Sequence, residues 1–338
     1  MFRLRSKDRE SMHQGRWIGK GLELCGFGHY FARRRVENSA VSGISTTPDE
    51  VKVLGRTGGV TAHHVADDTE DVGYMAAQAA REACRAAGLD PKDVDLLILS
   101  NWTDRWCAPE WAPLIAMQIG ADKALAFDIC QGCAGFVHGV HTAAMYLSAE
   151  DYQHAVVIGS ERFSRRVRPG STGELVVSDA AGAAVLSRNG RDGLIDSVMH
   201  TTGTLAHTTT VDPRTGWVRS QRQLNDLAVI AIADAFQEIL ERNDLGHDEV
   251  DWLIPHAATE PFQEGLRQRL AFPPAKILSN FFTRGNTSSA SIPSTLSEAL
   301  ETGRAHRGEL IASPSLGGGV WSYGCLLYRI LPDETTRD

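Results

Sequence analysis

The chain has 338 residues, of which 42% are hydrophobic and 22% charged, and its formal net charge is −8. Such a composition is that of a water-soluble globular protein long enough for two core-bearing units. The acidic balance excludes a general nucleic-acid binder, which needs a basic stripe. No apolar run approaches the roughly 20 residues of a membrane span.

Residues 1–20 are charged and lack an apolar stretch, so they read as a leader rather than a secretory signal. Next, 76–84 carries small or apolar residues at helical spacing, followed by a polar turn and the continuous apolar run Leu96-Leu97-Ile98-Leu99. The same pattern returns 156 residues later (76 to 232): a helix over 232–240, then a polar turn, then Val250 to Ile254. Strands so continuously apolar are buried on both faces, as in α/β sheets. Each copy continues with a helix (109–119; 260–270), a strand (125–129; 276–280), a glycine-containing turn and a helix of small residues. The chain therefore reads as one α/β unit duplicated, 21–190 and 191–338, with Cys133 and Asn286 at equivalent helix starts.

Cys133 follows the run Phe127-Asp128-Ile129 at the start of such a helix. A thiol there faces unpaired N–H groups and the positive end of the helix dipole, which lowers its pKa and favours the reactive thiolate. One reading is a covalent nucleophile; the other is a buried structural cysteine. The spacing to Cys130 also allows a redox pair or half a zinc site. No second C-x-x-C or H-x-x-x-H completes a metal site, so no metal is expected, and the six scattered cysteines fit a reducing, cytoplasmic setting.

His256 ends the second copy's apolar strand, where α/β sheets place their ligands; a structural histidine fits equally. The triplet Gly317-Gly318-Gly319 allows close backbone approach and N–H groups aimed at an oxyanion, although such triplets also make turns. The arginines 162, 165, 166 and 168 read either as a solvated loop or as a phosphate or acidic-carrier contact.

Together, several ordered motifs resemble the thiolase-fold condensing enzymes of the β-ketoacyl-[acyl-carrier-protein] synthase III group. They are Arg56-Thr57-Gly58, Cys133-Ala134-Gly135-Phe136, Asp179 to Leu186, Asp251 to His256, Gly285 to Ser291 and Gly317-Gly318-Gly319. The resemblance runs from about Gly21 to Ile330. It implies a duplicated α/β/α/β/α five-layer fold, a homodimer and a Cys-His-Asn site of Cys133, His256 and Asn286. Backbone N–H groups of Cys133 and Gly318 would bind the thioester oxyanion. No cofactor is implied; coenzyme A or phosphopantetheine thioesters, on acyl-CoA or an acyl-carrier protein, would be substrates.

The chain also departs from that group. No aromatic precedes Arg56, which remains as a nucleotide or phosphate contact. Ala257-Ala258-Thr259-Glu260 lacks the group's amide and basic residue, and Arg222 to Leu227 replaces another of its stretches. Ala108 stands where the group often has a phenylalanine reaching the partner's acyl pocket. Trp102, Trp106 and Trp111 surround it, either as packing or as a reshaped, wider pocket. These departures point to specialised, polyketide or secondary-metabolite, biosynthesis by decarboxylative condensation with a malonyl-type thioester. The alternative is an acyltransferase passing the acyl group from Cys133 to an amine or hydroxyl.

Overall fold

The computed structural model describes residues 15–38, 59–105, 108–256 and 258–332. Of the candidate residues, Arg56 and Trp106 lie outside that set. The first half runs β1 (Leu22–Phe31), β2 (Arg34–Glu37), β3 (Ala62–Val65), α1 (Val72–Ala87), β4 (Leu96–Ser100), α2 (Trp111–Ile119), β5 (Leu125–Ile129), α3 (Gly135–Ala149), β6 (His154–Arg162) and β7 (Asp179–Arg188). The second runs β8 (Leu194–Thr201), β9 (Thr209–Val211), β10 (Val218–Ser220), α4 (Leu224–Arg242), β11 (Trp252–Leu253), α5 (Glu260–Leu270), α6 (Phe281–Arg284), α7 (Ser291–Glu301), β12 (Leu310–Gly317) and β13 (Ser322–Arg329).

Among the described residues, the first large sheet has the order β5-β4-β6-β7-β1 and the second β11-β12-β13-β8. The pairing directions match step for step: β4–β6 and β11–β12 are parallel, while β6–β7, β7–β1, β12–β13 and β13–β8 are antiparallel. The duplication read from the repeat is thus a duplication of topology. One predicted strand, 276–280, shrinks to a single parallel bridge between Leu253 and Ile277. A 3-10 turn at Pro274–Lys276 and a helix from Phe281 bracket that bridge and leave no length for a strand.

Three cores make five layers. In the centre, Phe136, Val137 and Val140 of α3 and Ile292 and Leu296 of α7 pack between the two sheets, against Leu96, Ile98, Ile311 and Leu326. Outside the first sheet lie α1 and α2, with Met75, Ala79 and Trp111 on Leu97 and Leu99. Outside the second lie α4 and α5, with Phe236, Phe262 and Leu266 on Leu253 and Ala312. β4 is apolar from Leu96 to Leu99 and fully buried because helices cover both its faces. Local signals agree: Asp71 accepts from Tyr74 N at the start of α1, and Gly88 closes it at φ 65°.

Trp17, within the segment read as a leader, is 5% exposed and its Nε1 donates to Ser197 Oγ at 2.8 Å. The packed body therefore begins before residue 21. Among the described residues no helix is long and apolar enough to cross a membrane.

Candidate active site

Cys133 stands in a 3-10 turn, Gly132–Ala134, between β5 and α3. Gly132 has φ 55°, a left-handed conformation that glycine takes without strain. The end of β12 presses onto this turn backbone to backbone. A Cβ on Gly317 would fall 1.8 Å from Gln131 O, and one on Gly132 would fall 2.5 Å from Gly318 N. The Gly318 amide is thereby set beside the Cys133 turn, and Ser315 Oγ donates to Cys133 O at 3.0 Å.

The matching turn in the second half is Ser288–Ala290, leading into α7. Ser288 has φ 56°, so it mirrors Gly132, and Cys133 mirrors Ser289. The expected equivalence of Cys133 with Asn286 is corrected by three residues; Asn286 mirrors Cys130. The repeat offset of 156 already carries 133 to 289.

Asn286 is held by its N–H, which donates to Val176 O at 2.6 Å, while its Oδ1 accepts from Ser288 N at 2.9 Å. His256 lies just past β11, its N–H donating to Pro314 O at 2.9 Å beside β12. Its side chain is 2% exposed, with Nδ1 2.9 Å from Ser291 Oγ. Burial pushes its pKa down to about 4, against a smaller opposing pull from the Ser288 backbone, so the imidazole is neutral at neutral pH.

Cys133 Sγ receives a hydrogen bond from Ser288 Oγ at 3.2 Å. Contrary to the expectation of a lowered pKa, burial pushes the thiol up to about 12; the Ser288 bond pulls down and the Glu161 carboxylate adds to the rise. Desolvation outweighs the helix start because the turn is walled in by protein. The resting group is a thiol.

Glu161, at the carboxyl end of β6, is fully buried. It accepts from Thr103 Oγ1 and Ser289 Oγ, both at 2.7 Å, and lies 3.3 Å from Ser288 Oγ, whose single proton can turn to it or to Cys133 Sγ. Burial raises its pKa to about 7 in spite of these bonds. Sequence reading missed both Ser288 and Glu161. The signals were there: Ser288 lies inside a quoted motif, and a carboxylate closing an apolar strand marks a site.

A cavity of about 350 Å³ with a mainly apolar wall brings together Cys133, His256, Asn286 and Gly317–Gly319. Its wall includes Trp102, Phe163, Leu224, Ala228 and Phe262, with parts of the β9–β10 hairpin. Trp102 Nε1 donates to Ser288 Oγ at 2.8 Å. Trp111, expected at the pocket, is instead 4% exposed in the outer core, with Nε1 donating to Asp104 O at 2.7 Å; it starts α2, which packs on α1. Ala108 is exposed and is not part of the cavity wall of this chain.

The arginine cluster is partly paired and partly solvated, with Arg168 exposed. Arg162 is 5% exposed and pairs with Asp104 at 3.5 Å; Arg165 pairs with Asp68 at 2.8 Å; Arg166 donates to the carbonyl of Thr103. Among the described residues no group of three or more histidine, cysteine, aspartate or glutamate side chains could hold a metal ion.

Comparison with known proteins matches residues 127–203 to the family described as 3-Oxoacyl-[acyl-carrier-protein (ACP)] synthase III, and residues 240–330 to its C-terminal family. The chain is 33% identical over 312 residues to the beta-ketoacyl-[acyl-carrier-protein] synthase III of Aquifex aeolicus, covering 91% of this chain and 99% of that one. The crystal structure of the 3-oxoacyl-[acyl-carrier-protein] synthase III of that organism superposes with a TM-score of 0.85 at 32% identity, over 91% of this chain and 100% of the other. A priming beta-ketosynthase of the R1128 polyketide pathway superposes equally well, at 0.85, with 27% identity over 93% of this chain and 97% of that one. On fold and sequence together, the chain belongs to the β-ketoacyl-[acyl-carrier-protein] synthase III family of thiolase-fold enzymes.

Proposed function

We propose that this enzyme loads an acyl group onto Cys133 and condenses it with a malonyl-type thioester, releasing CO₂ and a β-ketoacyl thioester. The observation that carries the reading is the convergence of Cys133, His256, Asn286 and the Gly317–Gly319 backbone on one cavity. Cys133 attacks the donor thioester while its own N–H and that of Gly318 stabilise the oxyanion. The acyl chain lies along the apolar wall. A neutral His256 and the Asn286 amide then donate to the malonyl carbonyl, where an enolate oxyanion develops as CO₂ departs. The carbanion attacks the acyl-Cys133 carbonyl and frees the thiol.

Donors ride on coenzyme A or on a carrier protein's phosphopantetheine. The departures at 222–227 and 257–260 support work in a specialised pathway, as in the polyketide relative. A homodimer through β5 fits the fold: β5 is the sheet's last strand, with Leu125 42% exposed, and Met117 of neighbouring α2 is 62% exposed.

The test is incubation with a panel of acyl thioesters on both carriers, together with malonyl thioesters, reading intact mass and CO₂. An acyl adduct missing in Cys133→Ser, with CO₂ and a β-keto product, is the expected result. An ester or amide formed without CO₂ would favour transfer to a small acceptor, and no adduct with any donor would overturn both.

A further inference from the structure

The resting Cys133 thiol needs a proton acceptor before it can attack. His256 is a poor one at neutral pH, since its pKa lies near 4 and its Nδ1 is already paired with Ser291. Ser288 is different. Its Oγ lies 3.2 Å from Cys133 Sγ and 3.3 Å from Glu161 Oε1, and it accepts the Trp102 Nε1–H at 2.8 Å. That indole bond occupies one lone-pair direction, leaving the hydroxyl to pass a proton between sulfur and carboxylate. A serine held at φ 56° is strained relative to glycine, so the fold maintains the hydroxyl there at a cost.

We propose that Ser288 and Glu161 form the proton relay that activates Cys133, Ser288 touching the sulfur and Glu161 acting through it. The proposal rests on the acyl-Cys133 reading. As Sγ bonds to the acyl carbonyl, its proton passes to Ser288 Oγ and the serine's own proton passes to Glu161. When the intermediate collapses, the donor C–S bond breaks. The departing thiolate then takes a proton back through Ser288, and Glu161 returns to carboxylate. No outside acid, base or oxidant is needed.

Glu161's surroundings suit this role. From the β4–α2 loop come Trp102 N and the Thr103 N and Oγ1; from the turn before α7 come Ser288 and Ser289. All are neutral donors. Arg162, the next residue, pairs with Asp104 and Asp68, and Cys133 is the titratable group beyond Ser288. A carboxyl with pKa about 7 is a base matched to neutral pH.

The test is the rate of Cys133 alkylation by iodoacetamide between about pH 5 and 9, followed by intact mass, for wild type, Glu161→Gln and Ser288→Gly. Glycine tolerates the φ of 288 while removing the hydroxyl. The relay predicts alkylation about 100-fold slower at pH 7 in both variants, with loss of the wild-type inflection near pH 7. If Glu161 only repels the thiolate, Glu161→Gln alkylates faster; that outcome, or wild-type rates and inflection in Ser288→Gly, overturns the proposal. Should the glutamine variant fail to fold, judged by thermal melting, Ser288→Gly alone decides. Because iodoacetamide needs no acyl donor, this failure is distinct from an absence of thioester adducts.

Discussion

Gly132 and Ser288 hold the same left-handed backbone, φ 55° and 56°, each one residue ahead of the position that faces the seam between the halves. On the first side glycine is obligatory, since a Cβ would meet Gly318 N at 2.5 Å. Gly132→Ala should therefore cost about 2–4 kcal/mol, from left-handed strain and overpacking together, and should lower acylation by moving the Gly318 amide. Urea denaturation and adduct formation check the two effects.

His256 and Asn286 should separate from Cys133 in half-reactions. His256→Ala and Asn286→Ala are each expected to slow malonyl decarboxylation by about 100–1000-fold while leaving the acyl adduct in place. Cys133→Ser should lose the adduct. Mass spectrometry with CO₂ release reads both; loss of acylation in the histidine variant would contradict this division of labour.

The pH dependence of stability has two opposing parts. His256 goes from 6.5 unfolded to about 4 folded, so its contribution is present above pH 6.5 and lost as pH falls towards 4. Glu161 goes from 4.5 to about 7, so its contribution is present below pH 4.5 and lost as pH rises through 7. Between pH 4.5 and 6.5 they offset. Glu161→Gln should make stability climb more steeply with pH there, by about 1.4 kcal/mol per unit, measured by denaturation at several pH values.

The duplication, the helices at 109–119 and 260–270 and the strand at 125–129 were legible because hydrophobic periodicity and glycine turns are local signals. Cys133, His256 and Asn286 line one cavity, although Asn286 stands three residues before the position equivalent to Cys133. The strand at 276–280 was not legible, because a 3-10 turn runs to Lys276 and a helix starts at Phe281, leaving one bridge between them. Trp111 was misplaced because an indole's spacing does not say which layer receives it. The Cys133 pKa was misjudged because burial is set by distant segments, here β12 and the turn before α7. Ser288 and Glu161 acquire meaning only when residues 127 positions apart meet.

Ala228 lies on α4 against the cavity and is 3% exposed. Ala228→Phe should block long acyl donors while short donors and iodoacetamide still reach Cys133, at a cost in stability of about 1–3 kcal/mol. Adduct yield against chain length is the measurement, and an unchanged length profile would show that the chain runs elsewhere.

At the open edge of the first sheet, Leu125→Lys should weaken self-association by placing charge on β5. Sedimentation analysis should then find monomer in the variant against the dimer proposed for the wild type, with the fold retained by circular dichroism.

Where the halves meet at Gly132, Gly317 and Gly318, main chain lies against main chain and a side chain has nowhere to go. That seam leaves divergence little room. The opposite wall, from the β9–β10 hairpin and the start of α4, presents ordinary side chains to the cavity, whereas the hairpin at the matching place in the first half, β2–β3 between β1 and α1, lines none of it. Natural variation in what this scaffold accepts should accumulate on that hairpin wall, while the chemistry stays anchored in the shared seam.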